Sequence, residues 1–301
     1  MCRLVKTTRR DFITATLAAA GTRAVCGAAT PAPMEPLRIC AFEKFLQDLS
    51  YDELADVIAE LGFVGIEATV RKKGHVLPER VEEDLPRMVE ALKKRNLEVT
   101  IMATDVAEVS SLLNRRVLTT ASQLGIRMYR MGYYRYDLKK PVLPQLEEMR
   151  GPLGELAAFN GELGISAVYQ NHAAANYVGA TLWDIAGLLK GIPVEQVGLA
   201  FDIRHATVEA GLSWPTLYNL VKSQIAALYV KDFVWRERRP HNVPLGRGRI
   251  DPNFFEMIHA DGFAGPVSLH VEYLGDEGTQ ANIEALRADL KKLRSWLSKE
   301  A

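Results

Sequence analysis

The sequence predicts a single α/β domain folded as a (β/α)8 barrel, and three observations carry that prediction. Apolar runs of strand length alternate with amphipathic segments of ten or more residues, the alternation repeats eight times, and glycines close several of the amphipathic segments. The 301 residues, 48% of them hydrophobic, are enough for one barrel of roughly 250 residues once a leader is set aside. No Pro/Ser/Gly-rich linker or low-complexity tract divides them.

Taken in order, strands are predicted near 37–42, 65–69, 97–102, 127–131, 165–171, 197–202, 225–231 and 266–272. Helices are predicted at Tyr51–Leu61, Glu79–Arg95, Val106–Leu124, Pro144–Leu163, Thr181–Leu189, Ser213–Ser223, Pro252–Asp261 and Gly278–Leu297. Gly62, Gly125, Gly164 and Gly262 stand where a helix must stop before the next strand. A doubly wound open sheet is the alternative architecture. Its dinucleotide-binding form lacks a G-x-G-x-x-G after the first strand.

Residues 1–30 are set apart from the barrel, which takes 31–301. Thr8-Arg9-Arg10-Asp11-Phe12-Ile13 precedes a mild Ala/Thr-rich run to Gly21, Arg23 and the small residues Gly27, Ala28 and Ala29, a layout that resembles a twin-arginine export signal. The run is too short and too weakly apolar for the roughly 20 residues of a stable membrane span. A periplasmic or otherwise exported protein is therefore expected, with cleavage near Ala28 or Ala29. Cys2 and Cys26 would leave with the leader, so Cys40 remains alone as a small core residue and no disulfide framework is expected. Lys plus Arg (37) equals Asp plus Glu (37), which leaves no basic field to attract nucleic acid.

In a barrel, alternate strand residues face the interior and the active site lies at the C-terminal strand ends. Period two then sorts the polar residues. Ser268, His270 and Glu272 face inward in the last strand, and Gly198, Ala200 and Asp202 in the sixth. Ser166, Val168, Gln170 and His172 share one side of the fifth, and Ala227, Tyr229 and Lys231 one side of the seventh. Glu67, Thr69 and Arg71 end the second strand, and Arg130 the fourth. Ionisable groups on several adjacent strand ends are costly in a dry core, so a shared polar pocket is the economical account. Asp202, Glu272, His172 and His270 offer oxygen and imidazole donors without thiolate, suited to one divalent Mn²⁺, Mg²⁺, Co²⁺ or Zn²⁺. Asp202 could instead cap the next segment, and Glu272 could simply pair with Lys231 or Arg71. After the seventh strand, Trp235, Arg236, Arg238, Arg239, His241, Arg247 and Arg249 form a basic stretch in which Trp235 could stack on a sugar and the arginines could grip carboxylate or phosphate.

Tyr169-Gln170-Asn171-His172, Phe201-Asp202-Ile203-Arg204-His205, Tyr229-Val230-Lys231-Asp232 and Ser268-Leu269-His270-Val271-Glu272 carry a resemblance to the xylose isomerase-like TIM-barrel superfamily of sugar phosphate isomerases and epimerases. Gly62-Phe63, Thr69-Val70-Arg71 with Gly74-His75-Val76, and Val243-Pro244-Leu245-Gly246 are similar to a bacterial branch of it. The resemblance implies metal ligation by Asp202 and Glu272 and substrate binding by His205. Two ligand positions depart from the pattern: Gln170, His172 or Asn176 stands where a Glu is expected, and Tyr229 where a His is expected. His172 could replace the missing carboxylate as ligand or base, and Lys231 could stabilise an oxyanion.

The expectation is a carbohydrate enzyme that abstracts a proton beside a carbonyl, with Glu272, His172 and Lys231 catalytic. Substrate contacts are expected from His205, Arg71, His75, Arg130, Trp235, Tyr229 and Gln170. A 3-keto-glycoside lyase or hydratase and a non-catalytic sugar-binding barrel are the alternatives. Phosphodiester hydrolysis of the endonuclease IV type needs a richer metal cluster and a nucleic-acid partner that the zero net charge does not favour.

Overall fold

The computed structural model describes residues 37–275 and 277–298, so the leader and its export motif lie outside the described residues. Eight parallel strands close into a barrel: β1 (Ile39–Phe42), β2 (Gly65–Val70), β3 (Glu98–Thr104), β4 (Met128–Arg130), β5 (Ser166–Gln170), β6 (Val197–Asp202), β7 (Ile225–Val230) and, after a hairpin, β10 (Val267–Leu269). Closure is made by β1 against β10, with Cys40 opposite Ser268. Around the barrel run α1 (Tyr51–Leu61), α2 (Val81–Lys93), α3 (Leu112–Gln123), α4 (Val142–Leu163), α5 (Trp183–Leu188), α6 (Ile203–Ala210), α7 (Trp214–Val221), α8 (Asn253–Ala260) and α9 (Thr279–Leu297). None of the described helices is long and apolar enough to cross a membrane.

Local sequence explains the element ends. Helix α1 starts with a capping box, in which Ser50 accepts from the Glu53 N–H and Glu53 reaches back to the Ser50 N–H. It stops at Gly62, whose φ of 82° suits a residue without Cβ. Strand β2 is buried along its whole length, as parallel strands covered on both faces are.

The period-two assignment holds. Val267, Leu269 and Val271 join the layer between strands and helices, together with Val197, Leu199 and Phe201. Cys40, Ile101, Val168, Ala200, Ala227 and Tyr229 fill the barrel interior. Cys40 is a buried free thiol there, pushed above its ordinary pKa by burial.

Two elements depart from the expectation. Helix α6 follows β6 with no intervening turn because Asp202 ends the strand and also caps the helix, accepting from the His205 N–H at 3.0 Å. Most of the basic stretch, for which no strand was expected, is a hairpin of β8 (Asp232–Arg236) and β9 (Arg239–Val243), with Arg247 and Arg249 beyond it. Its polar composition hid the strands, because pairing needs only backbone groups. The Asp232 carboxylate anchors the following turn by accepting the N–H groups of Gly246, Gly248, Arg249 and Ile250 at 2.8–3.1 Å. A Cβ at Gly248 would lie 2.1 Å from that carboxylate, so only glycine fits.

Candidate active site

Two polar clusters stack along the barrel axis, and both follow from side chains that the strands aim inward. The deeper one centres on Glu67 of β2, which is fully buried. Its carboxylate accepts from Ser268 Oγ at 2.6 Å, from Tyr229 Oη at 2.9 Å and from Arg130 Nε at 3.3 Å, and lies 2.9 Å from His270 Nε2. Burial works against the charge, but His270, Arg130 and Ser268 outweigh it and hold Glu67 down at about 2. The other His270 ring nitrogen, Nδ1, is buried without a hydrogen-bond partner.

The upper cluster is built around Lys231, placed directly after β7. Its ammonium donates to Glu272 Oε2 at 2.8 Å and pairs with Asp202 Oδ2 at 3.3 Å. Burial alone would lower the Lys231 pKa; the two carboxylates outweigh it and keep the amine charged. Glu272, despite its own burial, is held well below the usual carboxylate range by Lys231, His270 and Lys44. Asp202 also accepts the Gln170 side-chain amide at 2.8 Å, while the Gln170 carbonyl accepts from Tyr133 Oη. Three strand ends are thus tied together: β5, β6 and β7.

His172 lies beyond β5 with its ring 4.0 Å from that of His205 and 4.7 Å from that of Tyr177. Burial, then Lys231, lowers its pKa to about 4, so it is a neutral imidazole near pH 7. His205 is likewise held well below its ordinary value, chiefly by burial. Its Nδ1 accepts the Ala173 N–H at 3.1 Å, which puts its proton on Nε2.

A cavity of about 150 Å³ opens on the upper cluster, walled by Phe42, Lys44, Arg71, Arg130, Tyr133, Gln170, His172, Lys231, His270 and Glu272. The larger groove, about 710 Å³, lies at the opposite end among strand starts such as Met128 and Ile225 and includes none of the expected site residues. Chemistry rather than size identifies the site.

Seven expected residues therefore share one wall: Arg71, Arg130, Gln170, His172, Lys231, His270 and Glu272. Asp202 supports that wall from behind. Four others stand elsewhere. His205 is covered by His172, and Tyr229 is used up on Glu67. His75 sits against Tyr51 with its Nδ1 3.5 Å from Glu43. Trp235 is 44% exposed on the hairpin, against Phe233. Phe42, Lys44 and Tyr133 were not anticipated; all three sit at or just past a strand end, the address that could have flagged them.

The expected metal ligands do not assemble into a fitting set. Among the described residues no group of three or more His, Cys, Asp or Glu side chains is placed to hold a metal ion. The Lys231 ammonium stands between the two carboxylates, the Gln170 amide points a donor at Asp202, and His270 is committed to Glu67.

The architecture recurs in solved structures. The probable 3-DHS dehydratase involved in petrobactin synthesis from Bacillus anthracis is 16% identical with a TM-score of 0.66, over 86% of this chain and 98% of that one. The 3-keto-D-glucoside 4-epimerase from E. coli is 17% identical with a TM-score of 0.64, over 86% and 99%. The D-psicose 3-epimerase from Clostridium cellulolyticum H10 is 15% identical with a TM-score of 0.65, over 87% and 100%. At these identities the likeness is one of fold. No curated protein sequence matches the chain. The family model for the xylose isomerase-like TIM barrel matches residues 55–296, and the chain belongs to that family.

Proposed function

We propose that this protein is a carbohydrate enzyme that moves a proton at the carbon beside a carbonyl of a sugar or keto-sugar, as an isomerase or epimerase, with Lys231 as its fixed electrophile. One observation carries the reading: a buried ammonium forms part of a cavity wall while two carboxylates hold it from behind and beside. An ammonium has three N–H donors; Glu272 accepts one and Asp202 pairs with the charge, which leaves donor capacity for an enolate oxygen. The work assigned to a divalent cation by the family resemblance passes to Lys231 in this reading.

Proton transfer falls to groups on the same wall. Glu272 is ionised and His172 neutral near pH 7, so each can accept a proton. A keto-glycoside lyase would use the same enolate and differ only in expelling a leaving group.

The test is solvent-deuterium incorporation beside the carbonyl across a panel of ketoses and keto-glycosides, followed by NMR. Glu272→Gln and His172→Ala should each slow exchange by roughly 10²–10⁴-fold with an unchanged circular dichroism spectrum. If His172 is the base, the rate should stay level from pH 8 to about pH 5 and fall toward about 4 as the imidazole becomes protonated. No exchange on any panel member, together with saturable sugar binding, replaces the enzyme by a binding protein.

The export reading rests on Arg9-Arg10 and the run behind them. Changing both to Lys should retain folded precursor in the cytoplasm; undiminished export rejects it.

A further inference from the structure

The cavity wall is electrically unbalanced, and one group accounts for the imbalance. Lys44, Arg71, Arg130 and Lys231 line it against a single lining carboxylate, Glu272. Counting Asp202 and Glu67 behind the wall still leaves one positive charge over among the Lys, Arg, Asp and Glu side chains. Pairing shows which charge is in surplus. Lys231 is taken by Asp202 and Glu272, Arg130 by Glu67, and Lys44 lies 3.3 Å from Glu272.

Arg71, half-buried, makes neither an ion pair nor a side-chain hydrogen bond among the described residues. Its closest aromatic neighbour is the Phe42 ring, 5.8 Å from the guanidinium carbon. Asp105, whose charge also reaches Arg71, is exposed, and its carboxylate accepts the Lys72 N–H at 3.2 Å. Burial and the nearby Arg130 both disfavour the charge on Arg71. A guanidinium kept in that setting with its donors unused is a ready receptor for an anion.

We propose that Arg71, flanked by Lys44 and Arg130, binds a carboxylate on the substrate, so that the cavity takes a keto-uronate or comparable keto-sugar acid in preference to a neutral ketose. The planar fork of Arg71 matches a carboxylate in two-point contact. The inference rests on the proton-transfer reading of the same cavity, but its binding test stands apart from catalysis.

Calorimetric titration with D-fructuronate, D-fructose and D-fructose 6-phosphate separates the possibilities. The wild-type protein should bind D-fructuronate at least tenfold more tightly than D-fructose. Arg71→Gln should remove that advantage, a loss of roughly 10- to 100-fold for one charged contact. Arg71→Lys should keep part of it, and Arg150→Gln, which removes a distant surface charge, should keep all of it. Equal binding of acid and ketose, binding of neither, tightest binding of the phosphate, or an unchanged preference in Arg71→Gln overturns the proposal. Arg71-dependent binding of D-fructuronate without deuterium exchange into it would leave the carboxylate subsite standing and tell against the proton-transfer reading.

Discussion

The Glu67 cluster and the Lys231 cluster use the same kinds of group, stacked in the same barrel, yet they are built to opposite ends. Around Glu67 the carboxylate is saturated: Ser268, Tyr229, Arg130 and His270 all converge on it, and it does not line the cavity. Around Lys231 the charges are paired but not exhausted, and the ammonium, Glu272 and His172 all face open space. A saturated buried network fixes geometry, whereas an unsaturated one can transfer its bonds to a substrate. His270 joins the two, with Nε2 on Glu67 and Nδ1 4.0 Å from Glu272. The lower cluster thereby holds one wall of the upper one in place.

The sharpest way to break this contrast is to remove Lys231. Lys231→Ala should lower deuterium exchange by about 10²–10³-fold or more, as loss of an oxyanion donor does. It should also leave Asp202 and Glu272 facing each other without a cation. The variant, unlike wild type, should then gain thermal stability from added Mn²⁺ or Zn²⁺. Equal metal stabilisation of both proteins would show that Lys231 does not stand in for an ion.

Glu67→Gln should act on the fold first. It strips the counter-charge from buried Arg130, and breaking a buried pair in this way costs about 3–5 kcal/mol in chemical denaturation. The pH dependence gives the sign. Glu67 is held at about 2 in the folded chain, against roughly 4.3 for a free Glu. Its contribution is complete above the free value and fades as pH falls from about 5 to about 2. The Gln variant should lose that part of the acid slope, and a variant as acid-sensitive as wild type would disprove the assignment.

Trp235→Ala belongs at the small end. The ring is half-exposed and outside the cavity wall, so stability should move by no more than about 0.5 kcal/mol and exchange by no more than about twofold. A large kinetic loss would bring the hairpin into the site.

The fold was readable because periodicity is a property of neighbouring residues: all eight expected strands form the barrel, and the glycines at 62, 125, 164 and 262 do adopt positive φ. Inward-facing residues were readable for the same reason. Partnership was not. The pairing of Glu272 with Lys231 stood among the alternatives, but nothing in the order of residues says that Glu67 would claim Tyr229 and His270, or that Asp202 would share Lys231, because those choices join distant strands. Helix α6 was announced only through the capping role open to Asp202, because that residue serves strand and helix at once. Lys44 and Tyr133 escaped because they lie two and three residues past their strands, where the chain has left the period, and Phe42 because its apolar ring reads as core.

The placement of Lys231 also bears on how the chain assembles. Asp202 comes from β6, Lys231 from the end of β7 and Glu272 from beyond β10, and β7 is flanked by β6 and β10. A folding intermediate holding β6 and β7 can form half of the ion triad. The other half must wait for β10 to seat between β7 and β1, a pairing of high sequence separation and hence a slow one. Recovery of deuterium exchange after dilution from denaturant would therefore time the closing of the barrel rather than the appearance of its helices.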